Sequence, residues 1–344
     1  MQTSYSVHDT DVHAGGGTAM TKLDELAALI GNKNVVIQTH NFPDPDAVAT
    51  AFGLQYLLST RNISADIVYF GKIDRVTLKL MTEQLKIKLI LVDDFTGTED
   101  DLVINVDGQK NNANFTDLIG HEIACIDHHP WVTEYEYEFV DHRIVGACAT
   151  IIYDYFKENN IPIPTNVATA LLYAIKIDTQ NFTKGVTDAD IDAFATLNNL
   201  ADQALIVRLD SNELEIDDLR AYGAAIQNFV TSKGVGFVHI PFDCPDRLIA
   251  MVSSFILSLD CVVLSVVYAE RNGGLKFSIR SEVPDFQSGD WVHLALAGIG
   301  DGGGHPSMSG GVIFPEMMPT LGDDPDKAIR KRFLQALRAL KNQA

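Results

Sequence analysis

Short β-branched apolar runs alternate, through the first half of the chain, with stretches whose apolar residues recur every three or four positions. The runs 35–39, 66–70, 88–92, 102–106 and 123–126 have the length and composition of buried strands. Residues 45–59 (apolar at Val48, Phe52 and Tyr56), 76–85, 146–158 and 166–177 carry helical spacing. Strands separated by helices predict a mostly parallel sheet with helices on both faces, and ligands of such sheets gather at the carboxyl ends of the strands.

From 188 to 233 the pattern is helical and acidic, with 215–230 readable as one long connecting helix. A second α/β pattern starts at Gly234: a strand, a helix over 246–257, and two strands, CVVLSVVYAE and GLKFSIRSE. These two read as an antiparallel pair turning at Asn272-Gly273-Gly274. A helix over 290–297, a Gly-rich loop, the strand GVIF and a closing helix over 324–342 follow. The predicted organisation is α/β throughout. A flexible lead-in occupies 1–19, including Gly15 to Gly17, and a parallel-sheet domain spans 20–187. A helical linker covers 188–233, and a smaller domain with a mixed sheet covers 234–344.

Composition narrows the setting. Hydrophobic residues make up 46% and charged residues 21% of 344, ordinary for a globular chain with two cores. No apolar stretch approaches the ~20 residues that cross a bilayer, and the N-terminus lacks the basic start and apolar run of a signal peptide. Cys125, Cys148, Cys244 and Cys261 form no CxxC pair and sit in apolar contexts, so buried reduced thiols and a cytoplasmic location are expected. With 26 Lys and Arg against 46 Asp and Glu, the net charge of -20 argues against a grip on long nucleic acid, which needs a cationic face. The basic cluster from Lys327 to Lys341 reads as a solvated helix face.

The candidate chemistry lies at the ends of these runs. THNFPDPDA places His40, Asp44 and Asp46 after the first strand, VINVDG places Asp107, and ACIDHHP places Asp127, His128 and His129. AIKIDTQNF ends a helical run at Asp178. Each segment alone has an ordinary explanation: an Asp after a strand is commonly a cap or turn residue, and Asp46 could cap the helix that follows. Together they deliver carboxylates and imidazoles to one rim of one sheet, where like charges repel unless cations sit between them. Carboxylate and imidazole without thiolate suits Mn²⁺, with Mg²⁺, Fe²⁺, Co²⁺ or Zn²⁺ as alternatives. Asp44 and Asp46 could each face a different metal and Asp107 could bridge them; two metals ~3.5–4 Å apart can hold a hydroxide and clamp a phosphoryl displacement.

These motifs resemble the DHH phosphoesterase superfamily, in which HxxPDxDA, VDG, DHHP and IDTxxF occur in this order. The second half resembles the DHH-associated C-terminal domain, marked by Gly302-Gly303-Gly304-His305 after Ser278-Ile279-Arg280-Ser281. The match covers roughly residues 20 to 315 and looks most like the nano-RNase and pAp-phosphatase type, with RecJ-like exonucleases as relatives. The resemblance implies one metal held by His40, Asp44 and Asp107 and a second held by Asp46, Asp107, His128 and Asp178. It implies His129 at the scissile phosphate, Asp127 orienting a histidine, and Arg280, Ser281 and His305 gripping the far phosphate or base. Gly302 to Gly304 would let backbone approach the ligand. The chain departs from the family at GGGHPSMSG, where GGGHxxAAG is common, at Asp301, which adds negative charge, and at Pro45.

The implied activity is two-metal hydrolysis of short oligonucleotides, pAp or linear or cyclic dinucleotides. Alternatives are a pyrophosphatase or exopolyphosphatase, against which the GGGH segment argues, and a non-catalytic nucleotide sensor. Expected partners are a small nucleotide or short oligonucleotide, without long duplex or membrane, and a homodimer is compatible with this. Domain closure over 188–233 would admit and seal the substrate. His8, His13, His121, His142, His239 and His293, Trp131, the pairs Asp93-Asp94 and Asp217-Asp218, and Gly273-Gly274 read as surface, packing or turn residues.

Overall fold

Val35 and Ile37 face one way from the first strand and Val36 and Gln38 the other, and all are buried, so this strand is covered on both sides. The computed structural model describes residues 20–73, 75–211 and 214–341; the expected lead-in at 1–19, with His8 and His13, lies outside them. The chain divides into two compact units, Met1–Glu213 and Leu214–Ala344.

The first unit runs α1 (Lys22–Ile30), β1 (Val35–Thr39), α2 (Pro45–Ser59), β2 (Ala65–Tyr69), α3 (Val76–Leu85), β3 (Ile90–Leu91), β4 (Leu102–Val106), β5 (His121–Asp127) and β6 (Phe139–His142). It continues with α4 (Cys148–Glu158), α5 (Thr165–Asp178), α6 (Asp188–Leu200) and α7 (Gln203–Ser211). The sheet order is β3-β2-β1-β4-β5-β6, with every pairing parallel. The sheet therefore grows outward in both directions from β1 and β4. Right-handed crossovers then put the β1-to-β3 connections on one face and the β4-to-β6 connections on the other.

The expectation of helices on both faces fails on the second face. Residues of α1 to α7 share one core with Ile37, Ile104 and Ile126. Opposite, the crossovers 107–120 and 128–138 contain no helix, and Val36, Val68 and Val103 are covered by Leu118, Val92 and Phe95. Buried Gln38 and Asn105 on that face donate to the Thr116 carbonyl (2.6 Å) and the Tyr137 hydroxyl (2.9 Å), which offsets part of the cost of taking an amide out of water, while their side-chain oxygens have no partner among the described residues. β6 is missing from the expected strands because FVDH is short and half polar. The expected strand 88–92 shrinks to β3, since the chain turns into a 3₁₀ segment at Val92–Asp94.

The second unit contains α8 (Leu219–Asn228), β7 (Val230–Ser232), β8 (Val235–Asp243), α9 (Asp246–Leu257), β9 (Leu264–Arg271), β10 (Gly274–Ser281), α10 (Ser288–Leu296), β11 (Gly300–Gly304), β12 (Met308–Ile313) and α11 (Pro325–Lys341). Its six-stranded sheet, β11-β12-β10-β9-β8-β7, is mixed, with only β8 and β9 parallel. Val238 and Val267 pack under α8 and α9, while Phe237 and Phe277 pack under Trp291 of α10 and Phe333 of α11. The β9–β10 pair turns at Asn272 and Gly273, both at positive φ (51° and 81°), as a two-residue hairpin requires.

Four expectations need correction here. The 188–233 segment is neither continuous helix nor one body: α6 and α7 belong to the first unit, and 215–230 breaks into a 3₁₀ turn, α8 and the start of β7. Asp218 within it is buried and paired with Arg247 at 3.1 Å, not solvated. The Gly-rich loop is an edge strand, β11, because a Cβ on Gly302 would lie 2.3 Å from Val292 and the glycines let α10 pack directly on the backbone. Finally, Cys261 is exposed, while the other cysteines are buried. No described helix is long and apolar enough to cross a membrane.

Candidate metal centre

Thr39 pairs with Val106, and Val106 with Ile126, across three neighbouring strands. The residues that follow, His40, Asp107 and Asp127, therefore emerge at one level of the carboxyl edge, where the order reverses between β1 and β4 and a crevice opens. Asp107 turns out of β4 with φ at 55°, and its N–H donates to the Ile126 carbonyl at 3.0 Å.

Asp44, not Asp46, caps α2. Its Oδ1 accepts from the N–H groups of Asp46 (2.9 Å) and Ala47 (3.1 Å), and Pro45 sits in the first turn. Asp46 faces a different helix: its oxygens accept from the N–H of Cys148 (2.6 Å) and of Ala149 (2.9 Å). It thus caps α4, whose own N-cap residue, Ala147, has no side-chain oxygen. The buried Asp46 carboxylate gains the favourable end of that helix dipole.

The imidazoles are oriented from behind. Nδ1 of His40 lies 2.9 Å from the Asn41 carbonyl and Nδ1 of His128 lies 2.9 Å from the Val145 carbonyl. Each contact places the ring proton on Nδ1 and turns the Nε2 lone pair toward the acids. His40 Nε2 stands 3.8 Å from Asp44 Oδ1 and 3.6 Å from Asp107 Oδ2. His128 Nε2 stands 3.3 Å from both Asp107 Oδ1 and Asp178 Oδ2, and 3.7 Å from Asp46 Oδ2. The structure thus gathers His40, Asp44 and Asp107 in one group and Asp46, His128 and Asp178 in another, with donor atoms within 4.8 Å of one another in each. Asp107 turns one oxygen toward each group.

Two observations test whether cations fit. Donor atoms sharing one cation at roughly 2.0–2.2 Å stand roughly 3–3.5 Å apart, and the closest separations here fall in that range. Asp107 Oδ1 and His128 Nε2 are also buried with no hydrogen-bond partner, a costly arrangement that a cation between them relieves. The electrostatics agree. Burial first, then the charges of Asp107 and Asp178, push Asp46 well above the usual carboxylate range. Burial and Asp107 raise Asp178 to about 6. Burial opposes the charged imidazoles, yet Asp44 and Asp107 lift His40 to about 9, and Asp107 and Asp46 lift His128 to about 11. Burial likewise opposes ionisation of Asp44, but the His40 contact draws it down to about 2. Protons and carboxylates share a space built for positive charge.

His129 is half-exposed beside this cluster, with Nδ1 3.7 Å from Asp107 Oδ1 and 2.9 Å from Asp127 Oδ1. Asp127 is fully buried and also accepts from Gln109 Nε2 at 2.6 Å. These two contacts outweigh burial and hold the Asp127 carboxyl below its usual value, while Asp127 raises His129. Asp127 is thus a backing residue for His129.

Sequence reasoning missed the supports: Gln109, whose Oε1 also accepts from the Val132 N–H at 2.9 Å, the Val145 carbonyl, and the α4 N–H groups. Only Gln109, two positions past Asp107, carried any signal. It missed Asp190 too, which accepts from the Gly146 N–H at 2.9 Å and steadies the turn holding His128. Four set-aside histidines have partners: His142 Nε2 lies 2.6 Å from the His129 carbonyl, His239 pairs with Asp326 at 3.0 Å, and the exposed His121 and His293 lie 3.9 Å and 4.0 Å from Glu138 and Asp301. Trp131 packs edge-on against His142.

The remaining candidates lie in the second unit. Arg280 of β10 pairs with Met308, and His305 follows Gly304 opposite Ser309, so Arg280, Met308 and His305 share one sheet face. The half-buried Arg280 guanidinium meets only the Ser278 hydroxyl and the Ile279 carbonyl, with no carboxylate partner among the described residues, and burial lowers its pKa. Ser281 is buried and accepts from the Val283 N–H. A Cβ on Gly303 would meet nothing within 4 Å, so that side of β11 is open. Asp301 is exposed and bonds its neighbour, the Gly302 N–H.

Residues 34–175 match the model of the DHH family, N-terminal domain. Over these residues the chain carries the DHH family's N-terminal domain. An uncharacterised protein of Methanocaldococcus jannaschii is 27% identical over 307 residues, 89% of this chain and 63% of its own length. The "probable manganese-dependent inorganic pyrophosphatase" of Enterococcus faecalis is 29% identical over 172 residues, 49% of this chain and 56% of its own length. The chain thus spans 56% to 63% of the length of these curated relatives. The crystal structure of an exopolyphosphatase-related protein from Bacteroides fragilis superposes with a TM-score of 0.73 at 21% identity, covering 94% of this chain and 97% of the other. That likeness shows a shared two-domain α/β fold.

Proposed function

We propose that the protein is a metal-dependent phosphoesterase that hydrolyses short oligonucleotides, pAp or dinucleotides. The observation that carries this reading is Asp107, which offers one oxygen to His40 and Asp44 and the other to the side of Asp46, His128 and Asp178. Two divalent cations held there, one by each group, would supply the charge that activates water and neutralises a phosphate in flight. The carboxylate–imidazole donor set and the manganese in the name of the Enterococcus faecalis relative make Mn²⁺ the cation of choice.

The protein's own groups do the rest. His40 and His128 are held in one tautomer by backbone carbonyls, so the donors are preorganised. His129, backed by Asp127 at 2.9 Å, would protonate a leaving oxygen. In the second unit, Arg280 has no carboxylate partner among the described residues and stands on one face with His305 beside the open side of Gly303. This constellation suits a phosphate or base and supports a nucleotide substrate.

The test is a hydrolysis panel in excess Mn²⁺: a dinucleotide pApA, pAp, a cyclic dinucleotide, pyrophosphate and polyphosphate. Release of mononucleotide from pApA or of phosphate from pAp supports the reading; turnover of inorganic phosphates alone replaces it. That second outcome, a pyrophosphatase or exopolyphosphatase, is favoured by the name of the relative that matches about half of this chain. Tight nucleotide binding without turnover of any substrate would instead indicate a sensor.

A further inference from the structure

Phe42 lies midway between the metal-facing His40 and Asp44, and its backbone is in the left-handed region, with φ at 53°. A bulky residue there is a genuine outlier, held in place at some cost, and such strain collects at working sites. Its N–H donates to the Phe70 carbonyl at 2.8 Å, which pins the turn to the end of β2. The ring rests on Gly71: a Cβ on that residue would lie 2.6 Å and 2.7 Å from two ring atoms. The ring is thus backed by backbone, yet Phe42 remains 63% exposed. An apolar ring fixed in this way beside a cluster of charges does no packing work for the core.

The ground beyond it carries two lysines and an arginine beside one glutamate. Next to Gly71 a groove of about 380 Å³ runs between the end of β2 and α3, lined by Lys72, Ile73, Lys79, Thr82 and Glu83. Arg75, exposed at the start of α3, is near enough for its charge to act on Asp44, behind the larger effects of burial and His40. Lys72, Arg75 and Lys79 have no carboxylate partner among the described residues, although the chain carries a net charge of -20. The groove volume lies within the few hundred cubic ångströms that hold a small ligand.

We infer that the carboxyl edge from β1 to β3 is a second nucleotide subsite, where a base stacks on Phe42 and the adjoining phosphate is met by Lys72, Arg75 and Lys79. A short single-stranded oligonucleotide would then run from the metal centre along the strand ends, and the enzyme would discriminate between chains and isolated phosphates. The aromatic platform decides for nucleic acid over polyphosphate, since every base offers a π-face and an inorganic chain has none. This assignment rests on the nucleotide reading above.

The test uses the full Mn²⁺-loaded chain, with the variants Phe42→Leu and Lys72→Gln/Lys79→Gln, and the wild type as reference. Unchanged manganese stoichiometry and Tm establish that each variant is folded. For pApApA, Phe42→Leu is expected to raise KM roughly 10-fold or more, the scale of one lost base stack. The lysine variant is expected to raise KM and to flatten its dependence on salt, because fewer counterions are released. Equal KM for wild type and both variants overturns the subsite while leaving the hydrolase reading intact. A lysine effect confined to polyphosphate, with Phe42→Leu silent, reassigns the groove to inorganic chains and overturns it as well. A 2-aminopurine-labelled pApApA, bound with Ca²⁺ in place of Mn²⁺, separates the two readings. Fluorescence quenching that Phe42→Leu abolishes supports the subsite even if turnover is absent, and no quenching by wild type sinks it.

Discussion

Oδ1 of Asp107 and Nε2 of His128 face each other at 3.3 Å, both buried and neither engaged in a hydrogen bond. A protein does not ordinarily leave a buried carboxylate oxygen and a buried imidazole nitrogen unspent. Asp107→Asn keeps the shape and removes the charge shared by both groups. It should therefore eliminate manganese binding at both positions and leave no measurable turnover, whereas Asp44→Asn should spare the position that Asp46, His128 and Asp178 form. Titration calorimetry with Mn²⁺ checks this; full stoichiometry in Asp107→Asn contradicts the bridging role.

Gln109 touches no candidate metal donor, yet it holds Asp127 at 2.6 Å, and Asp127 holds His129. Partners at this remove commonly contribute 10–100-fold in activity. Gln109→Leu should lower kcat by roughly that factor with manganese affinity little changed. The His129 arm of the pH–rate profile should also move to lower pH, because a loosened Asp127 supports the imidazolium less. A fall in activity with an unmoved profile would mean that Gln109 only shapes the loop.

The metal-free protein should lose stability as pH rises. Burial opposes the charge on both imidazoles, but the facing carboxylates raise His40 to about 9 and His128 to about 11, so the stability they supply is complete below ~6.5 and lost as pH climbs through those values. Asp178, raised to about 6 by burial and Asp107, favours the folded state when protonated and stops doing so as pH passes that value. Asp44, drawn down to about 2, acts in the opposite sense but only below the ordinary carboxylate range. Cation binding requires neutral imidazoles and releases protons, so it strengthens over the same interval. The Tm difference between manganese-loaded and chelator-treated protein should widen from pH 6 to pH 9, and a narrowing gap would count against the centre.

Gly302 and Gly303 are neighbours with different duties. A Cβ on Gly302 would meet Val292 at 2.3 Å, while one on Gly303 meets nothing. Gly302→Ala should cost about 1–3 kcal/mol by overpacking α10 against β11. Gly303→Ala should leave Tm unchanged and raise KM if ligand backbone approaches that open side. Denaturant melts and KM for the preferred nucleotide distinguish the two.

Much of this protein is written locally. The β-branched runs announce β1, β2, β4 and β5, helical spacing announces α2 to α5, and Asn272-Gly273 announces its hairpin, because each rests on side-chain period or a single backbone dihedral. The candidate donors were legible for the same reason: each lies at or beside the end of an element. Packing over distance decided the rest. The sequence offers Asp46 as a cap for α2, and only the fold brings the α4 amides to Asp46 and leaves α2 to Asp44. Gln109 became a support because the chain doubled back over it, and the GGGH segment became a strand because β12 lay beside it. That the two crossovers without a helix share one face follows from the order in which parallel strands are laid down, a property of topology that no window of residues contains. The chain by itself determined which groups carry charge and where the elements end; the tertiary structure decided which of those charges meet, since pairing strands in register brings together residues far apart in sequence.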